Sequence, residues 1–262
     1  MCGIAGLISS NSSDEQRCLS VEQMCEAMLH RGPDDQGLIN RGPATLGMRR
    51  LAIIDPAGGH QPMTSACGRY HLVFNGCIYN HAELRLELSA GGYPFRSKCD
   101  TEVLLAAFAR WGEECLGRLR GMFAFAVWDD EGQSLFLARD AFGIKPLYYR
   151  HDSVNGRFVF ASELNALLVS GVTMGEIDPH SVADYLAFFT VPTPARFTRA
   201  CSACVRVNAR AGPAGNSRSN SGGIFQPRLK SAGSAPPRRI SPANCASGSM
   251  TPCGRIASPT CQ

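Results

Sequence analysis

The chain has 262 residues, 44% of them apolar, and a formal net charge of +4. That charge is divided unevenly: residues 1–194 hold 16 basic and all 22 acidic side chains, whereas residues 195–262 hold ten basic residues and no acid. A basic excess confined to one low-complexity stretch gives no ground for a nucleic-acid partner, and no apolar run approaches the ~20 residues that span a bilayer, so no membrane partner is expected.

In chain order, Gly3–Ser9 reads as a short buried strand and Leu19–Leu29 as an amphipathic helix with Val21, Met24, Cys25, Met28 and Leu29 on its apolar face. His30 to Gly37 is rich in turn formers and predicts a loop. Apolar stretches at Ala44–Met48, Leu51–Ile54 and Tyr70–Phe74 predict strands, the last ending at Asn75-Gly76. Helices follow at about His81–Ser89 and Thr101–Trp111, the second with Asp100 as its N-cap and Glu102 in its first turn. Met122–Trp128, Leu135–Arg139 and Phe158–Ala161 predict a second strand set, with Asp129 to Gly132 as a hairpin turn. Asp178–Phe189, with Pro179 at the first helical position, reads as one more helix. Strands on both sides of paired helices predict an α+β domain of stacked layers over residues 2–194.

Beyond Pro194, Ser, Gly, Pro, Ala, Arg and Cys dominate and no apolar period survives past Val207. Residues 195–262 read either as a disordered extension, unable to bury enough surface to offset its ordering entropy, or as translation out of frame. The abrupt loss of every acid favours the second reading. Seven of the twelve cysteines lie before residue 195 without regular spacing, and the N-terminus lacks a secretory signal, so buried thiols in the cytoplasm are expected. Cys201 and Cys204 have the spacing of half a zinc site, but no second half follows and no metal is expected.

The start of the chain carries the chemistry. In Met1-Cys2-Gly3-Ile4-Ala5-Gly6, removal of Met1 would leave a thiol and a free α-amine on Cys2, a nucleophile with its own base. An unperturbed α-amine titrates near ~7.8 and a thiol near ~8.5, so both have a usable reactive fraction at neutral pH. Taken alone, a Met-Cys start is more often accidental.

Further blocks follow in a set order: His30-Arg31-Gly32-Pro33-Asp34, Arg50-Leu51-Ala52-Ile53-Ile54-Asp55, Asn75-Gly76-Cys77-Ile78-Tyr79-Asn80, Asp100-Thr101-Glu102, Gly121 to Ala126, and Arg139 to Tyr149. In content, order and spacing these resemble the glutaminase domain of class II glutamine amidotransferases, in particular that of glutamine-hydrolysing asparagine synthetases. The resemblance covers residues 2–194. It implies a four-layer N-terminal-nucleophile hydrolase sandwich, two antiparallel sheets between helical layers, that hydrolyses the side-chain amide of glutamine to glutamate and ammonia.

Carried over by position, Cys2 is the nucleophile, and the Asn75 side chain and Gly76 backbone N–H form the oxyanion hole. Arg50 clamps the substrate α-carboxylate, Asp100 meets the α-ammonium, and Leu51, Ile53, Ile54 and Cys77 complete the glutamine contacts. Arg31 and Gly32 belong to a loop that closes over the substrate, while the last two blocks are given packing roles. Singly, Arg50 is an ordinary surface charge, Asn75-Gly76 a turn and Asp100 a helix cap. Relatives often dimerise, so a homodimer is an expectation from the resemblance alone.

The departures carry expectations of their own. Relatives of the synthetase type usually have Glu where this chain has Cys77; losing one charge-assisted hydrogen bond of ~1.5 to 3 kcal/mol predicts glutamine binding weaker by about tenfold to a hundredfold. Met48, Cys99 and Ala141 replace the more usual His, Ser and Arg. Where the synthetase half would bind ATP through Ser-Gly-Gly-x-Asp-Ser, Ser221-Gly222-Gly223-Ile224 is followed by Phe225-Gln226. No cofactor is therefore expected, ATP and Mg belonging only to the missing synthetase domain. The alternatives are a glutaminase feeding a separate acceptor enzyme and a non-catalytic remnant.

Overall fold

A computed structural model describes residues 1–52, 55, 58–152, 155–171, 176–189, 202–203 and 206–210. Two antiparallel sheets stack face to face. The first holds β1 (Gly3–Ser9), β2 (Asp35–Arg41), β3 (Ala44–Arg50), β8 (Tyr148–Asp152), β9 (Arg157–Ala161) and β10 (Ser202–Ala203), in the order β10-β8-β9-β1-β3-β2. The second holds β4 (Met63–Thr64), β5 (Tyr70–Ile78), β6 (Gly121–Asp129), β7 (Ser134–Arg139) and β11 (Arg206–Arg210), in the order β11-β7-β6-β5-β4.

Period-two alternation explains the layering. Ile4 and Ile8 of β1, Leu46 and Met48 of β3, Val73 of β5, and Ala124, Ala126 and Trp128 of β6 share one core between the sheets. The alternate residues Ala5 and Leu7 face outward onto α1 (Asp14–Glu26) and α4 (Leu164–Val169), where Val21, Met24, Cys25, Met28 and Leu167 cover them. On the far side, Leu72, Phe74, Phe123, Phe125 and Val127 pack under α2 (His81–Ala90) and α3 (Asp100–Trp111). The central strands are covered on both faces and so read as continuous apolar runs. The result is the expected helix, sheet, sheet, helix sandwich, with α5 (Pro179–Phe188) opened by an Asp178 N-cap and Pro179 as the sequence predicts.

Several boundaries differ from the sequence reading. The first helix starts at Asp14, not Leu19, because Ser13 and Gln16 form a reciprocal capping box ahead of the apolar residues. The span His30 to Gly37 is not all loop: a 3-10 turn covers Leu29–Arg31 and β2 begins at Asp35. β5 does not stop at Asn75-Gly76 but runs to Ile78, with Asn75 paired to Ala124 and Gly76 to Phe123. Here the ladder overrides a turn-forming dipeptide, and a Cβ at Gly76 would run into the Met122 carbonyl and come 2.8 Å from Phe123 Cα. Leu51 and Ala52 have no regular structure; Ile53 and Ile54 lie outside the described residues. The N-cap of α3 is Cys99, and Asp100 is its first helical residue.

Past Pro194, Ser202–Ala203 pairs with Tyr148–Tyr149 and Arg206–Arg210 pairs with Ser134–Ala138. Sheet pairing thus reaches beyond the point where sequence periodicity stops. Cys201, Cys204 and the Ser221 stretch lie outside the described residues.

Candidate active site

Cys2 is half-buried at the head of β1, packed against the inter-sheet core. Its sulfur receives the Leu51 N–H at 3.4 Å and lies 3.7 Å from the Leu51 carbonyl, its acceptor. The chain's first amine, on Met1, donates to the Arg31 carbonyl at 2.9 Å, and Arg31 Nε donates to the Cys2 carbonyl at 2.9 Å. Gly32 is wedged against β3, where a Cβ would sit 2.5 Å from the Arg50 nitrogen. Arg31 and Gly32 therefore brace the chain start.

Asn75 and Cys77 lie on the same face of β5 as Val73, looking toward the sheet that carries Cys2. Asn75 is 1% exposed, and among the described residues its Nδ2 has no hydrogen-bond partner. Gly76 sits between them on the ladder.

Arg50 is buried at the end of β3; its Nη2 donates to the Asp55 carbonyl at 2.8 Å and its Nη1 lies 4.0 Å from Asp35 Oδ2. The Asp55 carboxylate accepts the Lys98 N–H at 2.9 Å and the Gly58 N–H at 2.9 Å, which draws the Arg50 end of β3 toward the start of α3. There Asp100 is buried, and its Oδ2 accepts the Ile78 N–H at 3.0 Å. Burial pushes the Asp100 carboxyl up from its ordinary value, against the pull of the Ile78 N–H and of His81.

Sequence reasoning gave Lys145 only a packing role. It is 7% exposed, and its Nζ donates to Met1 Sδ at 3.3 Å. The turn that carries it is held by Asp140, whose carboxylate accepts the Ile144 N–H at 2.9 Å and the Lys145 N–H at 3.0 Å. Burial raises the Cys77 thiol, the Asp100 carboxylate raises it further, and Lys145 pulls it down, which puts all three in one electrostatic neighbourhood. Met1, Lys145 and Cys77 thus join the head of β1 to the end of β5. Nothing in the Gly143-Ile144-Lys145-Pro146 turn signals locally that its cation will be buried. Among the described residues, no group of three His, Cys, Asp or Glu could hold a metal ion.

The Cys2 sulfur thus lies against Leu51, next in sequence to the buried Arg50, while Asn75 and Asp100 are buried on β5 and at the start of α3. A family model for the glutamine amidotransferase domain matches residues 1–210. The chain belongs to that family. Asparagine synthetase [glutamine-hydrolyzing] 1 of Bacillus subtilis strain 168 is 42% identical over 198 residues, covering 74% of this chain and 30% of that protein. Asparagine synthetase [glutamine-hydrolyzing] 3 of the same organism is 36% identical over 196 residues, covering 74% of this chain and 32% of that protein. The chain thus spans about a third of the length of these curated relatives. Among solved structures, glutamine phosphoribosylpyrophosphate amidotransferase from B. subtilis superposes with a TM-score of 0.56 at 22% identity, covering 68% of this chain and 46% of that one. That likeness is one of fold, a sandwich of two antiparallel sheets between helices.

Proposed function

We propose that, once Met1 is removed, Cys2 hydrolyses the side-chain amide of glutamine to glutamate and ammonia. The observation that carries this is Asn75 Nδ2, a buried donor without a partner among the described residues, on the face of β5 turned toward the sheet that carries Cys2. Leaving such a donor unmatched costs about 1–3 kcal/mol, and an oxyanion beside it supplies the missing acceptor.

With Met1 in place the Cys2 nitrogen is an amide; its removal creates the base. The sulfur attacks the amide carbon, and the carbonyl electron pair moves to oxygen, held by Asn75 Nδ2 and the Gly76 N–H. Collapse breaks the C–N bond, and ammonia leaves with the thiol proton relayed by the α-amine. Water then attacks the thioester, releasing glutamate and restoring the thiol. Arg50 binds the α-carboxylate and Asp100 the α-ammonium, with Leu51, Ile53, Ile54 and Cys77 around them.

No cofactor enters this reaction; ATP and Mg belong to the synthetase half of longer relatives. Because the relatives are named as glutamine-hydrolysing asparagine synthetases, the chain is read as the glutaminase part of such an enzyme; a cytoplasmic location and a homodimer are proposed from the family resemblance alone. Intact-protein mass spectrometry before and after 6-diazo-5-oxo-L-norleucine, a glutamine analogue that alkylates such nucleophiles, tests the reading. Loss of Met1 and one adduct on Cys2, with ammonia release abolished in Cys2→Ala and Asn75→Ala, is expected. A retained Met1 or an unlabelled Cys2 would make the chain a non-catalytic remnant.

A further inference from the structure

One arginine grips the chain start twice: its carbonyl accepts the Met1 amine at 2.9 Å, a bond lost with Met1, and its Nε donates at 2.9 Å to the carbonyl of Cys2, which stays. The same guanidinium reaches across the molecule: its Nη1 donates to Glu163 Oε1 at 2.9 Å, and that oxygen also meets His30 Nε2 at 3.0 Å. Glu163 precedes α4, and its neighbour Ser162 is bonded to β1 in both directions. The Ile4 N–H donates to Ser162 Oγ at 3.0 Å, and the Ser162 N–H donates to the Ile4 carbonyl at 2.9 Å. Two adjacent residues therefore fix the strand that presents Cys2, one through its backbone and one through Arg31.

The charge balance is equally local. Arg31 is 8% exposed, and Glu163 is the one carboxylate within ion-pair distance of it among the described residues. Burial raises the Glu163 carboxyl, but its hydrogen bonds to Arg31 and His30 outweigh this and hold it below the ordinary range. Removing one partner of a buried pair leaves an uncompensated charge, here beside the chain's first amine.

We propose that Glu163 is a positioning residue for the N-terminal nucleophile: it orients the Arg31 guanidinium that holds the Cys2 carbonyl, and its charge offsets that cation beside the α-amine. The proposal rests on the reading of Cys2 as the nucleophile. Its two parts separate by substitution. Glu163→Gln keeps an acceptor for Arg31 and removes only the charge, whereas Glu163→Ala removes both. An unbalanced cation disfavours the protonated amine, so loss of the charge moves proton uptake there to lower pH. The other charged groups around the chain start, Lys145, Arg50, Asp100 and His30, are the same in every variant, though His30 loses its carboxylate partner along with Arg31.

The test uses the full chain and both variants, with thermal melts as a check on folding. Ammonia release is followed over pH, and acylation of the chain's first amine by acetic anhydride is followed over pH by peptide mass spectrometry. Glu163→Ala is expected to lower kcat roughly tenfold to a hundredfold, from misplacement of the thiol, with KM for glutamine within about twofold of wild type. Glu163→Gln is expected to lose less, and to shift both the acid limb of kcat and the acylation curve to lower pH. Curves that coincide with wild type in both variants overturn the proposal whatever the rates, and so does wild-type kcat in Glu163→Ala. If wild type releases no ammonia while the acylation curve still shifts in Glu163→Gln, the glutaminase reading falls and the role of Glu163 at the chain start stands.

Discussion

In the proposed function Asp100 is subject to two opposed demands: it would have to be ionised to attract an α-ammonium, yet it is buried against the end of β5 and its carboxyl is raised from 3.8 by that burial. Below 3.8 the group is protonated whether the chain is folded or not; as pH rises from there to the raised value, the unfolded chain ionises first and stability falls. Asp100→Asn removes this penalty. The variant is expected to gain on wild type in thermal melts between about pH 4 and about pH 8, while binding glutamine about tenfold or more weaker. An equal difference in melting temperature at both pH values would show that burial is not what raises the group. Cys77 feels the charges of both Asp100 and Lys145, and the resemblance to the synthetase type puts a carboxylate at its position. Cys77→Glu adds a partner for both the Lys145 ammonium and the substrate ammonium, and calorimetric titration with glutamine in a Cys2→Ala background is expected to show affinity raised about tenfold. Unchanged or weaker affinity sinks the ammonium-site assignment. At this scale the candidate residues were legible as short motifs, but Lys145 and Glu163 were not, because nothing adjacent in sequence signals that a charge will be buried against a distant partner.

At the scale of elements, misreadings follow from which physical signal dominates. The first turn of α1 is polar throughout, so apolar periodicity could not find its start. The available sign was Ser13-x-x-Gln16, a capping box. Arg17 in that turn is buried, and its guanidinium donates to the Ser9 carbonyl at 3.1 Å, to the Gly42 carbonyl at 2.6 Å, and to Ser12 and Asp14. It ties the helix to the β1 end and the β2–β3 turn. Arg17→Ala strands these carbonyls and is expected to cost about 2–3 kcal/mol in urea unfolding; a loss below about 0.5 kcal/mol would mean that water takes over their hydrogen bonds. The strands β2 and β8 escaped notice for the opposite reason. Their side chains are mostly half-buried, which blurs the alternation that marks a strand. In β5, Asn75-Gly76 is a local turn signal that loses to pairing with Ala124 and Phe123, and this pairing is what holds Asn75 Nδ2 in place.

For the whole molecule, the two short strands beyond Pro194 lie along open edges, β10 beside β8 and β11 beside β7. An edge left unpaired exposes a row of backbone donors and acceptors. A chain ending at Arg210 is therefore expected to stay folded and monodisperse in light scattering, whereas one ending at Pro194 is expected to unfold at lower urea and aggregate; identical behaviour would make both strands dispensable. The sequence by itself determined the family, through the order and spacing of its motifs, and the strands whose apolar runs are continuous. Only the tertiary structure decided that Arg31 and Glu163 meet beside Cys2, that Leu51 reaches the Cys2 sulfur, and that Asp100 lies against the end of β5. The reason is physical: a strand's alternation states which residues share a face but not which face it will meet. A pair such as Arg31 and Glu163, 132 residues apart, is made by sheet pairing and burial acting at long range, with no local cost or gain for the sequence to record.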